Sequence, residues 1–512
     1  MDREALQRRA LLLLLVAPGL VPLLVRFLPF QDWPGHIGLA GGLAQVITAD
    51  SPTSEFYTFR GWTGPNRLFY VLVLVVSWLP GLDVHGAAHI VAALFIGGTG
   101  PAVYFLIKSC RGDGRLAVLA TPLALSRLLY CGFVPNVAAF ALLITALGLY
   151  FTEPPALSRR ARFGLLALTA ALVLGLHVFA FLVLVAFLLF LALVDAPSRA
   201  RRARALDTAL ALVPALALFP LFGRVPPSPG QEHLSVLQAV LSSLHLPDVK
   251  AAMIEAWSWI FATYRYAEWD DLTQAIWLAS VVVLMVLVVP RLGWRQLRDG
   301  DPLPRLALLA LASFAAYLVI PTYIGPPLNW WGANLRIPVL FSLLLVTMGA
   351  LGTARWRLAL AAPGALAGLA FVGMATVDLG RFSRDEMAGF EETIDSLPAG
   401  RRVCVLHYTP RELHEYPGEP HGYLGSYYVA KKGGWTNQNL FGNPGHPVGR
   451  DREPATPGWS AAGGFQWPNH SADCQDFVVR TNPSDPNAPF TRHRDKVELV
   501  SEHGHWRHWR KR

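Results

Sequence analysis

Along most of the chain, apolar positions do not alternate with polar ones. Leu, Ala and Val fill long runs between residues 10 and 377, whereas 380–512 is polar, rich in Pro and Gly, and lacks any run of membrane length. A helix needs about 20 mostly apolar residues to cross a bilayer, and somewhat fewer where the bilayer thins. The runs that qualify are 10–28, 86–107, 115–130, 134–152, 163–194, 207–222, 272–290, 305–322, 336–353 and 357–377. As one helix, 163–194 would be roughly 48 Å long, too much for a hydrocarbon core of about 30 Å. It therefore predicts a hairpin of two short helices turning near Gly175–His177.

Arginines orient these helices. They cluster at Arg3/Arg8/Arg9, Lys108/Arg111/Arg115, Arg159/Arg160/Arg162, Arg199/Arg201/Arg202/Arg204, Arg291/Arg295/Arg298/Arg305 and Arg355/Arg357. Each cluster flanks a short connection, which assigns it to the cytoplasm. The long connections 29–66 and 223–271 hold few basic residues and fall outside. The apolar run "RLFYVLVLVVSWL" (67–79) is then not an independent crossing, because counting it would put two arginine clusters outside; it reads as a juxtamembrane or re-entrant segment. The N-terminal "MDREALQRRALLLLLVAPGL" has no small-residue cleavage site after its apolar run and reads as a retained first helix.

The expected fold is a polytopic α-helical membrane protein. About eleven transmembrane helices occupy 1–378, the N-terminus is cytoplasmic, and a small extracytoplasmic α/β domain occupies 379–512. Within that domain, 381–400 predicts a helix stopped by Pro398 and Gly400, and "RRVCVLHY" (401–408) and "CQDFVVR" (474–480) predict strands. A short helix is expected over 422–434, and "KVELVSEHGHWRHW" (496–509) predicts a hairpin turning at His503–Gly504.

Composition agrees. The chain of 512 residues is 53% hydrophobic and 15% charged, against about 25% charge in soluble domains. Its formal net charge of +9 does not point to nucleic acid, because the basic residues sit in short loops between apolar runs. Cys404 and Cys474 both fall in the exported part, where a disulfide can persist.

With this topology, the unusual polar residues gather on the outer side. "PFQDWPGH" (29–36) puts Asp32 and His36 just past the first crossing, and "IGLAGGLAQVI" (37–47) reads as a helix along the interface. Arg127, Tyr130 and Asn136 belong to the second external turn, and His177 to the hairpin turn. A later turn carries Tyr323, Asn329, Trp330, Trp331, Asn334 and Arg336. The plain reading of the Trp and Tyr residues is interface anchoring, and of His85 and His89 hydration at a helix end rather than a shared metal. His407, His414, His421, Trp435 and Asn437 read more simply as solvated loop residues than as a glycan-facing surface. Asp32 differs, since an acid beside the bilayer is a functional candidate by default.

An N-terminal helix, an external loop opening on an acid, interfacial helices and many further crossings resemble the GT-C superfamily of membrane glycosyltransferases, which includes protein O-mannosyltransferases and aminoarabinose transferases. The likeness spans roughly residues 1–378 and rests on Asp32, on Arg127 and Asn136, and on Arg336. It implies a polyprenyl-phosphate-linked sugar as donor, a glycan, lipid or protein acceptor, and a multi-pass place in a bacterial-type inner (plasma) membrane. Several GT-C subfamilies show a paired acid in the first loop; here Asp32 is followed by Trp33, Pro34, Gly35 and His36, and no motif supports a divalent metal.

The chemistry is coherent on its own terms. Sugar transfer from a polyprenyl phosphate needs a base near the acceptor hydroxyl and positive charge at the departing phosphate. Asp32 is the expected base, with His36 orienting it or binding the sugar. Arg127 or Arg336 would hold the phosphate through a bidentate fork, and Tyr130, Asn136, His177 and Asn334 would line the substrate. The alternatives are a transporter or lipid-handling protein, which the lack of an inverted repeat disfavours, and a non-catalytic GT-C scaffold.

Overall fold

Seven helices among the described residues of the computed structural model are long and apolar enough to cross a membrane: Ala5–Leu24, Val84–Ser109, Val134–Phe151, Val178–Asp195, Ala267–Arg291, Pro302–Val319 and Arg357–Glu386. The structure describes residues 3–48, 51–62, 64–153, 156–195, 199–222, 238, 244, 248–324, 330–352, 355–407, 419–441, 446–450, 465–481 and 490–512; Asn329, His414 and most of 223–247 lie outside them. Arg159–Leu176 and Arg199–Phe222 are as long but open on arginines, and Ile337–Gly349 has 13 residues. The polytopic helical architecture is the one the apolar runs predict.

The expected break in 163–194 falls at His177. Helices Arg159–Leu176 and Val178–Asp195 meet there through one extended residue, with φ −159° and ψ 116°. The 67–79 run folds as the helix Leu68–Ser77 of 10 residues, about 15 Å and too short to span. One expected crossing takes another form. Over 115–130 the chain is a 3-10 helix, Gly114–Leu125, followed by the short helix Arg127–Tyr130. Pro122 lies inside this segment and has no N–H for an α-helical ladder. At about 2.0 Å per residue the segment reaches roughly 24 Å, so the tighter winding keeps the length with fewer residues.

The chain divides into two compact units, 1–20 with 94–129 and 134–375, and 21–93 with 130–133 and 376–512. In the first, the helices between Val134 and Phe222 pack one on the next. At one end of it the basic clusters converge. Asp195 meets Arg305 at 2.5 Å, Arg201 at 3.0 Å and the Tyr150 hydroxyl at 2.5 Å, with both Asp195 and Arg305 buried. Asp207 takes Arg159 at 2.7 Å and Arg162 at 3.5 Å, Glu153 takes Arg111 at 2.5 Å, and Asp113 takes Arg115 at 2.7 Å and Arg357 at 3.4 Å. Arg291 ties to Asp301 at 3.1 Å and to the Leu351 carbonyl. Five clusters far apart in sequence therefore share one end, as the positional rule for arginines requires.

The second unit is built on a five-stranded sheet in the order Trp435–Thr436, Arg402–His407, Asp476–Arg480, Trp506–Lys511, Val497–His503. The first three strands are parallel and the last two form the expected hairpin, closed at Gly504 with φ +59°. A disulfide joins Cys404 in the central strand to Cys474, with Cα atoms 5.6 Å apart.

The glycine-rich segment of the first loop is helical, as expected, and it is covered by protein. Helix Trp33–Val46 is buried from Trp33 to Leu43, between helices Leu68–Ser77 and Gly425–Lys432. Gly38 and Gly41 make this possible, because a Cβ at either would strike Ser426 or Ala430. Small residues on one face let two helices approach closely, and this stripe packs against helix Gly425–Lys432.

Candidate functional site

Asp32 occupies the N-cap position of helix Trp33–Val46 yet does not cap it: its side chain makes no hydrogen bond to the helix start. The local chemistry explains this. An N-cap oxygen accepts from the N–H of the second or third helical residue, and the second here is Pro34, which has none. Only the backbone of Asp32 joins the helix, its carbonyl accepting from His36 N at 2.9 Å. Asp32 is half-buried, whereas everything from Trp33 to Leu43 is buried. The carboxylate thus stands at the rim of a rigid core element.

The turn 130–133 supports it from behind. Gln31 N donates to the Tyr130 carbonyl at 2.9 Å, and Gly132, at φ +87°, lies so close to the Asp32 backbone that a Cβ would collide with it. His36 locks the same turn. Its Nε2 is 3.1 Å from the Gly132 carbonyl and its Nδ1 2.9 Å from the Tyr70 hydroxyl. A carbonyl only accepts, so Nε2 carries the hydrogen and Nδ1 accepts from Tyr70. Burial, reinforced by His446, pushes the His36 pKa down to about 3, so the ring is neutral with both nitrogens engaged. It holds the Asp32 turn in place instead of carrying charge.

Tyr130 reaches further. Its ring packs on Phe30 at 5.7 Å, and its hydroxyl lies 3.5 Å from Asp378. Asp378 is buried in the last long helix, and sequence reasoning missed it because the last crossing was drawn to end at residue 377. His85 and His89, one turn apart, bond backbone carbonyls. His89 Nδ1 donates to Pro22 at 2.6 Å, and the two Nε2 atoms are 3.0 Å apart, with His85 Nε2 also 2.9 Å from the Arg26 carbonyl. Among the described residues no group of three or more His, Cys, Asp or Glu gathers as a metal site would need.

The remaining candidates lie in the other unit. Arg127 donates to the Ser258 hydroxyl at 2.8 Å and lies 5.0 Å over the Trp259 ring. Trp259 neighbours Trp331 at 6.3 Å, in the strand pair Tyr323–Ile324 and Trp330–Trp331. Trp330 neighbours Phe179 at 6.5 Å, and the Arg336 guanidinium lies 5.6 Å over Phe179. This chain of rings links the 126–136 turn, the hairpin turn beside His177 and the 321–336 turn. Asn136 and Asn334 are buried nearby in sequence. Among the described residues neither polar atom of the Asn136 amide, nor Oδ1 of Asn334, has a hydrogen-bond partner. Buried amides are rarely left so. Asp32, His36 and Tyr130 are therefore grouped in one unit, and Arg127, Asn136, His177, Asn334 and Arg336 in the other.

No protein-family model matches the chain, and no curated protein matches it in sequence. Its fold, apolar helices with a small sheet domain, is shared with solved structures of low sequence identity. ArnT from Cupriavidus metallidurans bound to undecaprenyl phosphate shares it, with 11% identity, a TM-score of 0.52, and alignment over 98% of this chain and 97% of that one. ArnT in the apo state gives 10% identity and a TM-score of 0.52 over 99% and 98%. The arabinofuranosyltransferase AftD from Mycobacteria aligns with 98% of this chain but 40% of its own, with 14% identity and a TM-score of 0.49.

Proposed function

We propose that this protein is an integral membrane glycosyltransferase that moves a sugar from a polyprenyl-phosphate donor to an acceptor hydroxyl at the outer face of the membrane. The observation that carries this reading is Asp32, an acid at a helix start that the helix does not use, held at the rim of a buried element by the Gly132 turn. Asp32 takes the acceptor proton. His36 and Tyr130 position its turn. Arg127, over Trp259, and Arg336, over Phe179, hold donor phosphate as the cations of this region. The Asn136 amide suits hydroxyl or phosphate oxygens and Oδ1 of Asn334 suits a hydroxyl donor, and His177 lies in the same ring-linked region. The fold shared with ArnT, solved with undecaprenyl phosphate, supports a polyprenyl-phosphate donor.

Asp32→Asn is the deciding substitution. Asn keeps the shape of Asp and removes its basicity, so a residue that only shapes the helix start would tolerate the change. A general base would not, and transfer from a polyprenyl-phosphate sugar in reconstituted vesicles should fall by about 10²–10⁴-fold with the melting curve unchanged. Retained transfer would leave Asp32 a helix terminus. The same reading places the N-terminus in the cytoplasm and residues 379–512 outside, so an enzyme reporter fused after Arg512 should be active only when exported.

A further inference from the structure

One end of the five-stranded sheet gathers positive charge on its surface. Where strands Arg402–His407 and Asp476–Arg480 begin, Arg402 N donates to Gln475 Oε1 at 3.0 Å and the Arg402 carbonyl accepts from Gln475 N at 2.8 Å. The Gln475 carbonyl accepts from Lys511 N at 3.0 Å, and Arg512 N donates to the Lys496 carbonyl at 3.0 Å. Arg402, Lys511 with Arg512, and Lys496 therefore stand side by side across four neighbouring strands. At about 4.8 Å between strands, they line an edge roughly 15 Å wide. The turn before the outer strand adds Arg492 and Arg494. It is pinned by Trp467, on which His493 stacks at 5.1 Å and over which Lys496 Nζ lies at 5.9 Å.

These cations are accessible and poorly matched. Arg492, Arg494, Lys496, Lys511 and Arg512 are exposed, and Arg402 is partly so. Among the described residues none of the six makes an ion pair, although Lys511 Nζ donates to the Ser471 carbonyl at 2.9 Å. The carboxylates at this edge are mostly committed elsewhere. Buried Asp476 takes His508 at 2.8 Å and both Arg401 and Arg510 at 3.3 Å, and Glu498 faces Arg510 in register. Asp473 and Asp495 are left against six cations. Like charges at strand spacing are destabilising, so an edge kept this way points to an anion that it receives.

The surroundings narrow that anion. The apolar helix Arg357–Glu386 joins the sheet at its opposite end, where Glu386 pairs with Arg480 and its carbonyl accepts from Trp506 Nε1 at 3.2 Å. The six residues of Arg402–His407 separate the two ends by roughly 20 Å. Basic segments that bind an anionic bilayer lie immediately beside their membrane helix, within about a Debye length, and this edge does not. The Cys404–Cys474 disulfide closes beside Gln475, and a bridge of that kind persists in oxidising compartments, away from nucleic acid.

We propose that this basic edge docks a polyanionic glycan, a polysaccharide whose repeating units carry carboxylate or phosphate. Arginine forks suit either group, and a row of separate, exposed cations suits a repeating anion better than a single small one. That the glycan belongs to the cell envelope and serves as acceptor rests on the transferase reading and its outward topology. Polyanion binding itself does not.

The test uses the full chain in phosphatidylcholine nanodiscs, with polygalacturonate and a phosphomannan as probes, neutral dextran as control, and biolayer interferometry as readout. At least one polyanion should bind at low salt, and raising ionic strength from about 0.05 to about 0.3 M should weaken it about 10-fold. Arg494→Glu with Lys496→Glu should weaken binding by a further factor of about 10 with the melting curve unchanged, because both side chains are exposed. Lys250→Glu with Arg295→Glu, exposed cations of the other unit, makes the same change in net charge and should alter binding by less than about 2-fold. Wild type that binds neither polyanion, or that binds dextran equally well, overturns the dock. So do two charge-reversed variants that lose affinity alike, which would mean net charge alone, and a preference for phosphatidylglycerol vesicles over both polymers, which would mean a membrane-facing patch. Wild type that binds a polymer yet transfers no sugar to it keeps the dock and removes only its assignment as acceptor.

Discussion

The two ends of the membrane unit handle positive charge in opposite ways. At one end, arginines meet carboxylates: Asp195 receives Arg305 and Arg201, Asp207 receives Arg159 and Arg162, and Asp113 receives Arg115 and Arg357. At the other, Arg127 and Arg336 lie over aromatic rings, and Arg127 also donates to a hydroxyl. A carboxylate fixes a guanidinium, whereas a ring supports it from one face. We assign the first pattern to architecture and propose the second for binding. That contrast, more than any single contact, separates structural arginines from those proposed to hold a phosphate.

It can be broken most directly at Asp195. Asp195→Ala would leave Arg305 buried without its carboxylate, and removing one partner of a buried pair costs about 3–5 kcal/mol. The variant should show a sharply lower melting temperature and folded yield. Replacing both partners with apolar residues, Asp195→Leu with Arg305→Met, should recover most of the loss. An Asp195→Ala protein as stable as wild type would mean that the paired end is not structural.

Arg336→Lys probes the other end with a smaller expected effect. Lysine keeps the charge and loses the planar fork, so binding of the proposed polyprenyl-phosphate donor should weaken by about 10-fold while the melting temperature holds. If stability falls instead and binding does not, Arg336 belongs with the architectural arginines.

How much of this was readable in the sequence depends on the range of the physics. The break at His177 follows from bilayer thickness alone, and the convergence of five arginine clusters follows from a rule about loops, so both were visible in the pattern. The terminal hairpin at Gly504 is equally local. The burial of helix Trp33–Val46 was not readable, because what covers Gly38 and Gly41 is Ser426 and Ala430, which no local pattern announces. The 3-10 run Gly114–Leu125 has the composition of a crossing, and only its backbone ladder distinguishes it. In the candidate site, Asp32 stood out through its isolation as an acid. That His36 is a neutral brace emerged only when its two nitrogens found Tyr70 and Gly132. Asp378 was missed because it sits one residue past the drawn end of an apolar run.

The weakest test concerns a pair that is ionic but exposed. Arg26 donates to Glu391 at 2.7 and 3.2 Å, and Lys431 adds a contact at 3.2 Å. The hydrogen bond from Arg26, working against burial, holds the Glu391 carboxyl down at about 2, below its ordinary 4.5. A depressed carboxylate contributes stability that is fully present above its unfolded pKa and is lost as pH falls through the folded one, so the window runs from about pH 4.5 down to about pH 2. The side chains are 49% and 36% exposed, and solvent and salt screening reduce such a pair to about 0.5–1 kcal/mol. Glu391→Gln should therefore flatten the acid limb of the stability curve in that window by no more than about 1 kcal/mol, and 1 M salt should do much the same to wild type. A loss approaching that of Asp195→Ala would mean that carboxylate pairing matters regardless of burial, and the distinction between the two ends would have to rest on the aromatic rings alone.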